Sequence, residues 1–145
     1  MADPAGAVRL LLFRIGGLDC ALPVEMVREV LPVQPATRIP GAPPAVEGLV
    51  NVRGTLLTVV DGPRLLDRPG ARGEESSLLV LRLGGRAVGL QVDQVLDLVA
   101  MPEAALEPQG SLPGVDRRLL RAVGRHDARV FIVLDTDALL APVLA

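Results

Sequence analysis

The sequence predicts an all-β chain built as two similar modules. Three observations carry this: where glycine and proline fall, how apolar residues alternate, and an internal repeat. The 15 glycines and 13 prolines lie between short runs of Val, Leu and Ile, the punctuation of many short strands rather than long helices. Inside several runs apolar side chains recur at every second position, the period of a strand with one buried face. LLFRIGGLDCALPVEMVREV, from Leu11, lies over LVLRLGGRAVGLQVDQVLDL, from Leu79, without a gap, and 7 of 20 aligned positions are identical. They include Arg14/Arg82, Gly16-Gly17/Gly84-Gly85 and Val27/Val95. A second echo sets TVVDGPRLL, from Thr58, over IVLDTDALL, from Ile132. The offsets are 68 and 74 residues, so the second copy carries a longer loop.

Taken in order, Val8 to Ile15 reads as a strand, Gly16-Gly17 as a turn, and Leu18, Cys20 and Leu22 as the inward positions of a returning strand. After Pro23, the spacing of Val24, Val27 and Val30 around Glu25, Arg28 and Glu29 predicts a short amphipathic helix, with a strand as the competing reading. Pro32 to Pro44 holds five prolines and is expected to run extended over the surface. Glu47 to Asp61 reads as strand, Arg-Gly turn, strand, and Asp61 is placed to cap a helical turn through Leu65-Leu66. DRPGARGEESS, Asp67 to Ser77, has the composition of an exposed connector. The second copy repeats the plan. Leu78 to Leu83, Gly84-Gly85 and the alternating Val88, Leu90 and Val92 form its hairpin, and Val92 to Val99 can be extended. GRHDAR makes a turn, and Asp135 caps a closing turn at Leu139-Leu140. The expected organisation is one domain over 8–140, with a first lobe at 8–66, the connector at 67–77 and a second lobe at 78–140. Units this small need a partner, so the lobes are expected to share an apolar seam.

Composition removes several function classes. The 15 basic and 17 acidic residues nearly cancel and form no run of like charge, so neither nucleic acid nor direct membrane insertion is expected. Cys20 is the only cysteine, which excludes an internal disulfide and fits a reducing compartment. No window approaches 18 uninterrupted apolar residues and no leader pattern opens the chain, so a cytoplasmic protein is expected. With Phe13 and Phe131 as the only aromatics, a partner surface has to be aliphatic and Arg-based. Chemistry is sparse. Cys20 alternates with Leu18 and Leu22 on the core face, and His126 sits alone in a turn, where it reads as solvated. The carboxylates are dispersed singly, and neither Gly-Gly pair continues into a phosphate-binding fingerprint. No catalytic residue, metal or cofactor is expected. A small β-barrel enzyme using His126 is the alternative from another class.

What remains is EGLVNVRGTLLTVVD, whose centre displays the Asn51 amide and the Arg53 guanidinium beside Gly54 at a tight bend. The residues alone leave two readings open: a docking tip whose planar fork takes carboxylates or carbonyls, or an ordinary surface turn. GLVNVRGTLLTVVD resembles the central hairpin of CheW-like domains. LLFRIGGLDCALPVEMVREVL resembles that family's opening strands, TRIPGAPPAVEGLVNVRG its approach to the hairpin, VGLQVDQVLDLVAMPEAALEP its second-lobe motif, and RVFIVLDTDALL its last strand and turn. The resemblance implies two SH3-like five-stranded β barrels packed side by side, with no active site and no cofactor. It further implies an adaptor that docks the cytoplasmic tip of methyl-accepting chemoreceptors between its lobes, and the regulatory domain of a CheA-type histidine kinase through its lobe ends. Carried over by position, Val27, Glu29, Gly48, Asn51, Arg53 and Gly54 are the implied protein-binding residues. Two departures stand out. Gly62-Pro63 follows Asp61 where the family continues with an aliphatic residue, and no long terminal helix follows Leu140. Both bear on kinase docking, so a divergent member that binds receptor but couples kinase weakly or not at all is the alternative within the family.

Overall fold

The computed structural model describes residues 6–70, 73–108 and 116–144. Strands β1 (Ala7–Ile15) and β2 (Leu18–Pro23) form the first hairpin around Gly16-Gly17. A single 3₁₀ turn at Val24–Met26 leads into β3 (Val27–Pro32). The hairpin of β4 (Val46–Val52) and β5 (Thr55–Asp61) follows, then the four-residue helix α1 (Gly62–Leu65). The second copy runs β6 (Ser77–Leu83), β7 (Arg86–Val92), β8 (Gln94–Pro102), the two-residue β9 (Glu107–Pro108), β10 (Leu120–His126), β11 (Arg129–Leu134) and helix α2 (Thr136–Leu144). Both glycine-pair hairpins fall where the sequence places them.

The segment after Pro23 is the exception. Only Val24–Met26 turns, in 3₁₀ form, and Val27 onward is extended. Competition between local spacing and sheet pairing explains this. Val27 and Val30 are β-branched and stiff at χ1, which disfavours helix, and extension lets β3 pair antiparallel with β6 from Val27↔Leu81 to Pro32↔Ser77. Pro32 to Pro44 is largely irregular, tied to the sheet by one bridge between Thr37 and Leu49.

The two sheets do not divide at the connector. One has the order β3-β6-β7-β5-β4 and the other β8-β1-β2-β11-β10-β9. Replacing each strand of the first order by its repeat counterpart gives β8-β1-β2-β11-β10, the second order without its short last strand. The copies have therefore exchanged their opening hairpins: β6-β7 sits in the middle of a sheet otherwise made by the first copy, and β1-β2 in the middle of the other. Segments 8–66 and 78–140 are repeats in sequence, while each sheet takes strands from both. Two parallel pairings seal the exchange, β5 with β7 over Thr58↔Val88 to Asp61↔Gln91, and β11 with β2 at Ile132↔Cys20 and Val133↔Ala21. Within the connector, the Arg68 Nε donates to the Gly16 carbonyl at 2.8 Å, and the Gly16 N–H donates to Asp93 Oδ2 at 2.8 Å. Ala71 and Arg72 of that connector lie outside the described residues.

Strand alternation distributes the apolar residues over three cores. Leu11, Phe13 and Ile15 of β1 and Leu79 and Leu81 of β6 face the largest, where Cys20, Leu90, Ile132, Leu134, Leu139 and Leu140 join them. This seam joins the two sheets, each of which draws strands from both copies, where the sequence predicts a seam between contiguous lobes. The intervening residues point the other way: Leu10 and Leu12 pack with Val99, Phe131 and Val133 inside one barrel, and Leu78 packs with Val50 and Val59 inside the other. Both strand faces of the central hairpins are thus buried, and removing a large side chain leaves a void. Phe131, fully buried, is expected to cost about 3–5 kcal/mol when replaced by Ala, read from urea unfolding.

Both repeated aspartates cap helices as the sequence indicates. The Asp61 carboxylate accepts from the Arg64 N–H at 3.1 Å, and the Asp135 carboxylate from the Ala138 N–H at 3.1 Å. Asp61→Ala is expected to lower stability by about 1 kcal/mol, a shift visible in a urea titration.

Candidate docking surface

The tip of β4 and β5 is a two-residue turn in which Arg53 (φ 52°) and Gly54 (φ 83°) both adopt left-handed backbone, the arrangement whose twist matches the flanking strands. Arginine seldom occupies that region, and Asn51 supports it: its Oδ1 accepts from the Gly54 N–H at 2.8 Å. The bend aims Arg53 across the sheet. Its Nη1 donates to Glu29 Oε1 at 2.5 Å, while the Arg53 side chain stays 71 % exposed. The hydrogen bond from Arg53 holds the Glu29 carboxyl below the ordinary glutamate range, so the pair persists through neutrality and dissolves only as pH falls through that depressed value. Because both groups face solvent, screening leaves the pair little weight in stability. Its effect is orientation.

That contact also closes the barrel. β3 and β4 are opposite edges of one sheet, yet Glu29 on β3 meets the β4-β5 tip, so the sheet has curled until its edges touch. A shallow groove remains between them, lined by Arg28, Glu29, Val52, Arg53, Thr55 and Leu57. Four of the six sequence-designated residues, Glu29, Asn51, Arg53 and Gly54, therefore converge on one lobe end. Val27 lies on the same edge strand opposite Leu81, half-buried against the seam. Gly48 sits at the base of the hairpin, at a register shift in the β4-β5 pairing. Its φ is 147°, and a Cβ there would lie 2.2 Å from the Thr37 carbonyl oxygen. Only glycine allows Thr37 and Leu49 to exchange their two 2.8 Å hydrogen bonds, which seat the proline-rich segment. Gly48→Ala is expected to destabilise by about 2–3 kcal/mol through backbone strain and collision, measured as a lowered thermal midpoint.

Sequence reasoning missed the exposed aliphatics. Val30 is 43 % exposed, Leu56 63 %, Leu98 53 % and Val130 39 %. These four form two repeat-related pairs, Val30 with Leu98 at an offset of 68 and Leu56 with Val130 at 74, while Val33, 36 % exposed, has no such counterpart among the exposed aliphatics. Alternation gives the face of a strand but not whether that face is covered; the repeat alignment was the signal that could have found them.

The second lobe end is built alike, with different chemistry. The β10-β11 turn also places its two central residues, Asp127 (φ 49°) and Ala128 (φ 64°), in left-handed backbone. Asp97, the repeat counterpart of Glu29, lies 3.3 Å from His126 Nε2, and Asp127 Oδ2 lies 3.4 Å from it. His126 therefore adjoins the turn as expected, partly exposed, and has two carboxylate neighbours that the sequence did not indicate. Cys20 is fully buried, and burial pushes its thiol far up from its ordinary range, away from the nucleophilic thiolate. Among the described residues no trio of His, Cys, Asp or Glu is placed to hold a metal ion, and no helix is long and apolar enough to cross a membrane.

Two curled sheets joined by an apolar seam, each closed where an edge strand meets a two-residue turn, define the class of paired SH3-like β proteins. A solved structure of this kind, the scaffolding protein TtCheW from Thermoanaerobacter tengcongensis, superposes with a TM-score of 0.82 over 88 % of both chains at 22 % identity, a likeness of fold. The chain belongs to the CheW-like domain family, which matches residues 9–143. Among its relatives, a probable chemotaxis protein CheW of Rhizobium etli is 28 % identical over 138 residues, covering 94 % of this chain and 89 % of that protein. The chemotaxis protein CheW of Bacillus subtilis is 26 % identical over 135 residues, covering 91 % and 86 %. Protein FrzA of Myxococcus xanthus is 36 % identical over 97 residues, covering 66 % and 61 %.

Proposed function

We propose that the chain is a non-catalytic coupling adaptor of a chemosensory system. It docks the cytoplasmic tip of a methyl-accepting chemoreceptor and the regulatory domain of a CheA-type histidine kinase, working in the cytoplasm at receptor arrays. The observation that carries this reading is the first lobe end: a guanidinium fixed by a rigid turn and by Glu29, exposed, and beside a shallow groove whose lining includes the aliphatic side chains of Val52 and Leu57. Arg in a pre-set orientation next to apolar surface is the composition of an interface anchor. Family membership supports this choice of partners. With both docked at once, a receptor shift that favours one kinase state changes the kinase equilibrium by the coupling free energy, typically about 1–3 kcal/mol.

Of the two sequence departures, the first has a packing reason. A Cβ on Gly62 would lie 2.5 Å from the Gln91 carbonyl oxygen, so glycine there lets α1 press against β7. It leaves the Arg53 end untouched. The chain's last described helix, Thr136–Leu144, is nine residues long. The test is a binding titration with each partner separately, receptor tip and kinase domain. Binding of both supports the adaptor. Receptor binding alone converts the reading to the receptor-only variant, and binding of neither overturns it.

A further inference from the structure

The two lobe ends close with the same geometry but with different groups. In the first, a cation that is charged at every working pH, Arg53, ties the turn to Glu29 of the edge strand. In the second, the tie runs from His126, at the start of the turn, to Asp97 of the edge strand β8, with Asp127 Oδ2 3.4 Å from the same ring nitrogen. Imidazole is the side chain whose charge changes between about pH 5 and 8. A protonated ring always presents an Nε2–H and a full positive charge to these carboxylates, whereas a neutral ring offers that N–H without the charge in one tautomer and a repelling lone pair in the other.

We propose that the second lobe end is latched by a proton: His126 holds the β10-β11 turn against β8 through Asp97 when charged, and releases it when neutral. This deepens the docking reading, and rests on it, in assigning a regulated state to one of the two ends. Two exposed aliphatics ride on the latched elements, Leu98 next to Asp97 and Val130 across the turn, so release changes the spacing of the apolar surface a partner meets. The neighbouring charges do not replace the ring. Arg129, directly opposite His126 in the hairpin, is 3.7 Å from Asp19 on β2. Arg14 on β1 is committed to Asp19 at 3.1 Å and to Gln94 at 3.4 Å. Arg125 on β10 points to the opposite strand face, and Glu107 on β9 is paired at Val123, three residues back. Asp97 also accepts from its neighbour Leu98 N–H at 2.7 Å through its other oxygen, which fixes the carboxylate and leaves Oδ2 for the ring.

The test uses the full chain without any partner, by nuclear magnetic resonance between about pH 5 and 8.5. The backbone amide signals of Asp97, Leu98 and Val130 are expected to shift with one midpoint, the same as that of the His126 ring signal, while the Arg53-Gly54 turn stays still. In His126→Gln those shifts are lost. In Asp97→Asn the ring still titrates, but Leu98 no longer follows it. A ring that titrates in the native chain without moving the β8 amides overturns the latch. Since no partner is present, failure of the latch and failure of the docking reading are separate results.

Discussion

Arg53→Glu is expected to leave the protein folded and to weaken partner docking at the first lobe end by about thirtyfold or more. The side chain is solvent-facing, contributes nothing to the three apolar cores, and makes one contact with the edge strand. Folding therefore has little to lose. Docking loses twice. The fork that offers directed hydrogen bonds disappears, and a carboxylate now stands beside the Glu29 carboxylate, so the two repel and the tip swings away from its set position. Central, oriented Arg residues are among those whose loss dominates interface energetics, and a factor of thirty is a moderate value for such an anchor. Titration calorimetry with each partner, beside circular dichroism of the variant, reads both halves. Undiminished binding by a folded variant would return Arg53 to the ordinary solvated surface. Glu29→Gln is expected to cost less, because the amide oxygen still accepts from the guanidinium.

The second large effect concerns the exchanged hairpins. A fragment of residues 1–70 is expected not to fold, whereas the chain cut once at 73–75 stays one folded unit. In the fragment, β3 loses its neighbour β6, and β5 loses β7, so the sheet β3-β6-β7-β5-β4 is left without its middle. Leu79, Leu81, Val88 and Leu90 leave the seam with it. Losing this much core exceeds the whole stability of a typical domain, about 5–15 kcal/mol. The cut chain keeps every strand pairing. Gly73, Glu74 and Glu75 are exposed, so a protease site placed there is accessible. Gel filtration and thermal melting of the two preparations decide: a cooperative melt of the 1–70 fragment contradicts the exchange.

This exchange marks where reading the sequence stops. Gly16-Gly17, Gly84-Gly85 and the Arg53-Gly54 turn are local features, fixed by what each backbone position tolerates, and they were legible with their strands. So were the caps at Asp61 and Asp135, since a carboxylate after a strand and before a Leu-Leu turn has one obvious use. The segment from Val24 to Val30 was ambiguous because its spacing suits a helix while its β-branched residues suit a strand, and pairing with β6, roughly 50 residues away, decided it. Which hairpin enters which sheet is non-local altogether. Identical alternation in both copies fits either partner equally, so contiguous lobes were the natural expectation. At the candidate surface, Asn51, Arg53 and Gly54 were legible as one turn, and Glu29 entered only through the family resemblance. Asp97 and His126, 29 residues apart, carry no local sign that they meet. Gly48 was designated through the resemblance as a protein-binding position, and what the structure gives it is a backbone reason, the Thr37 carbonyl pressed against its Cα, which no local pattern shows.

The adaptor reading requires that one chain hold both partners at once. Sedimentation velocity of the chain mixed with a receptor signalling tip and a kinase regulatory domain measures this directly. The account predicts a single faster species containing all three, which loses a component when Arg53→Glu replaces the native chain. Two separate binary complexes that exclude one another, with no ternary species at any ratio, would contradict it.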